Sequence, residues 1–197
     1  MSLQELKKNI DLAIDDCQHV IEKNPKAVLS EGDLERLLSF CISRRIGYVP
    51  ENPAPDAFAV YSQISHYDNE EEVLDARVDL LLMKPNDVKE CCDHYKRFIY
   101  RAAESFAIEL KYLHADNAGA VNKAKEDIDK YVRYKDDSHY YAVILLDEND
   151  KTDEYEQDIL SYHKKKIEEL DGNDKSFCRV LRKKVTLEPN TQNENNA

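Results

Sequence analysis

A chain of 197 residues with 40 Asp and Glu against 28 Lys and Arg has a net charge of −12, which argues against a protein that coats nucleic acid non-specifically. Its 42% of hydrophobic and 35% of charged residues supply apolar material for one domain of roughly 100–200 residues. The longest uninterrupted apolar run, Ala142 to Leu146, is far short of the about 20 residues that cross a bilayer, so a membrane-spanning chain is not expected.

Leu3, Leu6, Ile10, Ile14, Cys17 and Ile21 recur at steps of three and four, which predicts an amphipathic helix that Asn24-Pro25 stops. Residues 1–25 are therefore expected to form a helical appendage or an interface. Ser30 with Asp33 reads as a capping box with Asp in place of Glu, opening a helix that buries Leu34, Leu37, Leu38, Cys41 and Ile42 and ends near Gly47. Pro50, Pro53 and Pro55 make a linker.

From Phe58 the period changes to two, giving a strand over 58–65, and a solvated acidic turn follows at Asp68 to Glu72. Arg77 to Met83 is a second, more apolar strand. Pro85-Asn86-Asp87 is expected to cap a helical insertion through about Glu104. Phe106 to Tyr112 reads as a third strand, Ala118 to Lys135 as a helix, and Tyr140 to Leu146 as a fourth strand of the buried parallel type. A charged helix over 155–170 and a strand over 177–187 complete a domain expected at 30–188, with a polar tail at 189–197 that reads as disordered. The fold class is α/β, with helices covering a mixed sheet.

Two acids stand where an apolar strand disfavours them. Asp79 interrupts Val78 and Leu80 to Leu82, and Glu109 lies between Ile108 and Leu110. Strand side chains alternate, so Glu109 and Lys111 emerge on one face about 6–7 Å apart. An unpaired buried carboxylate is expensive, so each acid needs a cation or strong hydrogen bonds. On adjacent strands, Asp79 and Glu109 would converge on one divalent ion with Lys111 beside it. Hard oxygen ligands of this kind suit Mg²⁺, which polarises a phosphodiester and helps deprotonate water.

Arg77-Val78-Asp79 followed by Glu109-Leu110-Lys111, each within an apolar strand, resembles the PD-(D/E)xK nuclease superfamily. That group includes many restriction endonucleases, Holliday-junction resolvases and lambda-type exonucleases. Its restriction-endonuclease-like core, in the order α-β-β-β-α-β, matches the periodicities of residues about 30–147, with an N-terminal helix and a C-terminal α-β extension added here. The resemblance implies that Asp79 and Glu109 bind the metal (Mg²⁺, with Mn²⁺ as substitute) and that Lys111 is the catalytic lysine. It further implies an acid on the first core helix, for which Glu35 is the choice and Glu31, one turn earlier, the substitute. Several members carry Gln-x-x-x-Tyr after the third strand; here Asp127 to Tyr131 keeps the Tyr and loses the Gln.

The expected function is thus a metal-dependent phosphodiester hydrolase, an endonuclease rather than an exonuclease, acting on double-stranded DNA in preference to RNA. A homodimer is expected, because restriction-type members and resolvases are frequently dimers. Lys123, Lys125 and Tyr131 on the following helix are the candidates for nucleic-acid contact. The alternative is a non-catalytic nucleic-acid- or protein-binding module that keeps the nuclease fold. His114, three residues past Lys111, reads as a surface imidazole, with an approach to the mouth of the site as the alternative. Five scattered cysteines without a C-x-x-C pair, and charges throughout the first thirty residues, predict reduced thiols in a cytoplasmic protein without a secretory signal.

Overall fold

The computed structural model describes residues 1–51, 54, 56–67, 74–93, 96–100, 104–114, 118–132, 139–169 and 175–185, with the side chains at 64–67, 74–77, 89–93, 96–100, 118, 120 and 130–132 excepted. The expected acidic turn at 68–72 and the tail at 189–197 lie outside these residues, as do parts of the proline linker.

Helix α1 (Leu3–Lys23) opens on a capping box: Ser2 Oγ accepts from Glu5 N at 3.2 Å and Ser2 N donates to Glu5 Oε2 at 2.8 Å. Helix α2 (Glu31–Ile46) opens on Ser30, whose Oγ accepts from Asp33 N at 3.2 Å. Asp33 is one methylene shorter than the usual Glu, and its Oδ2 takes the N–H of Leu29 instead of the cap's own. Gly47 ends α2 at φ 68°, a left-handed conformation that a side chain would strain.

Seven strands form one mixed sheet. They are β1 (Ala59–Tyr67), β2 (Leu74–Met83), β3 (Lys89–Asp93), β4 (Lys96–Tyr100), β5 (Phe106–Leu113), β6 (His139–Asp147) and β7 (Ser176–Lys183), in the spatial order β3-β4-β1-β2-β5-β6-β7. Strands β1, β2 and β5 pair antiparallel; β5, β6 and β7 are parallel, joined through α3 (Ala118–Val132) and α4 (Thr152–Glu169).

Alternation along β5 divides the sheet into two covered faces. Phe106, Ile108, Leu110 and Tyr112 join Leu80, Leu82, Tyr141, Val143 and Leu145 beneath α1 and α2. Leu113, Ile144 and Leu146 meet Val121, Ala124, Ile128 and Ile159 of α3 and α4. The α/β class with helices flanking a mixed sheet is therefore as expected.

Two expectations are corrected. Among the described residues of 85–104 no α-helix forms: a single 3₁₀ turn at Pro85–Asp87 gives way to β3 and β4, paired antiparallel over five rungs, with β4 running parallel to β1. Cys91, Cys92, Phe98, Ile99 and Tyr100 favour a pleated surface, and a free edge of β1 is there to receive them. Nor does α1 stand apart from the domain as an appendage. Leu6, Ile10, Ile14, Cys17 and Ile21 are wholly buried in the larger core, so its apolar stripe is already covered. Among the described residues no helix is long and apolar enough to cross a membrane.

Helix α1 also guards the sheet's open edge. The Gln18 amide donates from Nε2 to Arg182 O at 3.0 Å and accepts from Arg182 N at 2.9 Å, as the peptide of an eighth strand would. Gln18→Ala leaves both groups of β7 unpaired. It should lower stability by about 1–2 kcal/mol in urea titrations and promote self-association along β7, read by analytical ultracentrifugation. Unchanged assembly and unchanged stability would show that water replaces the amide.

Buried His163 of α4 shares a 3.1 Å hydrogen bond between Nε2 and Ser176 Oγ of β7. Burial holds its imidazole below the usual value of 6.5. The unfolded chain then binds a proton that the folded chain resists, so stability is present above pH 6.5 and falls as pH drops through it. His163→Gln should flatten the loss of urea midpoint between about pH 7 and pH 5.5; an unchanged slope would assign that limb to other groups.

Candidate functional site

Strands β2 and β5 pair over three rungs, Leu82↔Phe106, Leu81↔Ala107 and Leu80↔Ile108, and then part, although both continue. One step past the last rung stand Asp79 on β2 and Glu109 on β5. The backbone N–H groups of Leu110 and Tyr112 face the gap and need acceptors. Asp79 Oδ2 takes the first at 2.7 Å and Glu31 Oε2, from the first turn of α2, takes the second at 3.3 Å. Two carboxylates thus replace the missing strand along the fork.

Two nitrogens bridge the acids in pairs. Gln63 of β1 donates from Nε2 to Glu35 Oε2 at 2.6 Å and to Asp79 Oδ1 at 3.1 Å. It has φ 54°, the one positive value at a non-glycine among the described residues, and the β1–β2 register runs from Ser62↔Leu80 to Ile64↔Val78 around it. Lys111 Nζ lies 3.2 Å from Asp127 Oδ2 of α3 and 3.5 Å from Glu31 Oε2. Glu109, half-buried on the same face of β5, adds its charge to that pair.

The electrostatics push the two key groups the same way for opposite reasons. Burial raises Asp79 above the ordinary carboxylate range; hydrogen bonds from Leu110 and Gln63 oppose this, and the charges of Glu31 and Glu35 add to it. Burial works against the charge of Lys111, but Asp127, Glu31 and Glu109 outweigh it and leave the ammonium above its usual range. Lys111 is held charged, while burial works against the charge of Asp79.

The sequence-predicted residues are brought together in part. Asp79 and Glu35 share one hydrogen-bond donor, and Glu109 and Lys111 share a face as alternation requires. Glu31, the substitute acid, is the one that touches Lys111. Asp127, noted only for the missing Gln, is the closest counter-charge of Lys111. Gln63 was not anticipated: nothing in a polar strand residue signals its left-handed backbone.

Of the three candidates for nucleic-acid contact, Lys123 is exposed on α3. Lys125 binds Asp158 Oδ2 at 2.7 Å and stands over the Tyr162 ring at 5.3 Å, tying α3 to α4, so its charge is already engaged. The side chain of Tyr131 lies outside the described residues.

The donor chemistry of Asp79, Glu35, Glu31 and Glu109 fits a hard divalent cation. As the side chains stand, however, no three acidic, histidine or cysteine groups among the described residues converge on one point. Comparison with protein-family models, with curated proteins and with solved structures finds no match.

Proposed function

We propose that this protein is a metal-dependent phosphodiester hydrolase acting on DNA, an endonuclease built on a restriction-endonuclease-like core. The observation that carries the reading is the fork between β2 and β5. There, inside an otherwise apolar sheet, Asp127 and Glu31 pair with Lys111, while half-buried Asp79 accepts from Leu110 N and from Gln63, whose amide it shares with Glu35.

In this reading Asp79 and Glu109 hold Mg²⁺, with Glu35 beside Asp79 through Gln63. The ion, when bound, polarises the phosphodiester and acidifies water. It also offsets the local negative field that would otherwise repel a phosphate chain. Lys111, kept charged by Asp127 and Glu31, stabilises the negative charge that develops on phosphorus oxygens. Double-stranded DNA as substrate and a homodimeric assembly follow from the resemblance.

One observation favours the second reading, a module that keeps the fold without catalysis. Gln63 and two backbone N–H groups already occupy oxygens that a metal would use. The deciding experiment incubates the purified chain with single- and double-stranded DNA in Mg²⁺, Mn²⁺ or EDTA, beside Glu109→Ala. Metal-dependent cleavage that disappears in the variant supports the enzyme. No cleavage, together with no calorimetric metal binding that depends on Asp79 and Glu109, supports the module.

A further inference from the structure

Helix α2 carries two stripes. Leu34, Leu38, Cys41 and Ile42 are buried in the larger core, where α2 packs against α1 and the sheet. Asp33, Leu37, Phe40 and Arg44 form the second stripe, at steps of four, three and four, the spacing by which one helix seats along another. Leu37 borders both stripes and is partly buried, while Phe40, in the middle of the helix, keeps 63% of its surface. Large apolar side chains are also exposed at either end of α2, Leu29 at 64% and Val49 at 52%. Three of the seven such residues among the described ones thus gather around one helix, where scattered single ones would need no explanation.

The charges of α2 are polarised along it. Glu31 and Asp33 lie in its first turn, Arg44 and Arg45 in its last. That order suits the dipole of the helix itself, and it also lets two copies of the helix run antiparallel with each acidic end against a basic one. Arg45 is engaged, donating to both oxygens of Asp16 on α1 at 2.7 and 2.6 Å, whereas Arg44 beside it is exposed. The Asp33 carboxylate accepts from Leu29 N, the Ser30 hydroxyl and Arg36. These take three of the about four lone-pair sites of a carboxylate and leave room for one further donor.

One two-fold axis satisfies these residues together. Set across α2 between Leu38 and Ser39, it brings Asp33 opposite the second copy's Arg44 and Leu37 opposite the second copy's Phe40, each pair occurring twice. The same axis carries Leu29 toward the second copy's Val49. Charged, central and flanking pairs that share one midpoint are the mark of an isologous interface, in which one patch is its own complement. A nucleic acid on this stripe would instead meet its acidic half, on a chain of net charge −12.

We propose that this face of α2 is the interface of a homodimer, covered by the antiparallel α2 of a second copy. The seam offers fewer residues than the about 20–30 a side of a standard interface, so the dimer forms at micromolar concentration. Because Glu31 and Glu35 stand on the same helix, the pairing sets one fork toward each end of the seam. The homodimer of the nuclease reading gains a defined surface in this way, while the seam itself rests on none of that chemistry.

Sedimentation equilibrium of the full chain between about 1 μM and 1 mM, without DNA or metal, reads the association. The wild type should pass from monomer to dimer in that range. Phe40→Gln and Arg44→Glu, both at exposed positions outside the core, should each weaken the dimer about 10-fold or more. Arg44→Glu and Asp33→Lys each set like charges opposite one another in their own dimers, but a mixture of the two forms both ion pairs and should associate as a heterodimer. Ser30 still caps α2 in Asp33→Lys through the backbone N–H of residue 33, and circular dichroism checks that this variant folds. Should it not fold, Phe40→Gln and Arg44→Glu decide alone. A wild type that stays monomeric, whether or not it holds DNA or another protein at Phe40, would overturn the proposal. So would a dimer that neither exposed variant weakens, or a folded pair of variants that does not associate. A dimer that cleaves nothing leaves the seam standing, and a monomer that cleaves leaves the nuclease reading standing.

Discussion

Asp79→Asn is expected to give a chain that is more stable than wild type at neutral pH and that has lost about 10²–10³-fold in cleavage, the scale of one electrostatic contact to a transition state. Asp79 titrates above its unfolded value of 3.8, chiefly because it is buried, with Glu31 and Glu35 adding to the effect. A carboxyl raised in this way favours the fold while it is protonated, below pH 3.8, and that contribution is lost as pH rises through the folded value. Asparagine removes the charge and keeps an oxygen for the N–H of Leu110, so its advantage should appear at pH 7 and vanish below about pH 3.8. The Gln63 amide must turn to face the new donor; Glu35, which it then leaves, still reaches water.

A residue retained at a cost to stability is explained by what it does. Thermal unfolding at both pH values with parallel cleavage assays checks this. If Asp79→Asn were less stable than wild type, closing the sheet fork would be the main work of Asp79, and the binding-module reading would gain.

The strands around the site are legible because each is a short apolar run interrupted by discordant charge. Asp79 among Val78 and Leu80 to Leu82, and Glu109-Leu110-Lys111 between Ile108 and Tyr112, announce both the strand and the exception within a few residues. What joins them is not legible, because it is long-range. The contact of Asp127 with Lys111 depends on how α3 lies over β5, and that of Glu31 depends on α2 starting at the fork.

Misreadings follow from the same cause. The amphipathic period of α1 is plain in the sequence, but period alone does not say whether the stripe meets this core or another surface. Residues 89–93 and 96–100 become strands because an edge of β1 receives them, a partner no local pattern displays. Asp147 and Lys183 sit at the ends of apolar strands, where a charge reads as ordinary punctuation until the parallel register sets them side by side.

Substitution of Lys111 by Arg and by Met separates charge from chemistry. Lys111 keeps 24% of its side-chain surface and faces Asp127 at 18% and Glu31 at 44%. Removing the ammonium in Lys111→Met strands those carboxylates. The loss should be about 1–2 kcal/mol, below the 3–5 kcal/mol of a fully buried pair because Glu31 still reaches water. Burial pulls the folded pKa of Lys111 down, but Asp127, Glu31 and Glu109 carry it above its unfolded 10.5. Its contribution is therefore complete below pH 10.5 and is lost as pH rises through the folded value, a limb that Lys111→Met should lack.

Lys111→Arg keeps the charge and both ion pairs, so stability should stay within about 1 kcal/mol of wild type. Its planar fork nevertheless spreads the charge over three nitrogens and cannot set one compact ammonium beside a developing phosphorane. Cleavage should fall about 10²-fold or more in both variants. Equal activity in Arg and wild type would mean that Lys111 acts through net charge alone. Stability lost with activity retained, in Met, would leave the lysine a structural tie between β5, α2 and α3.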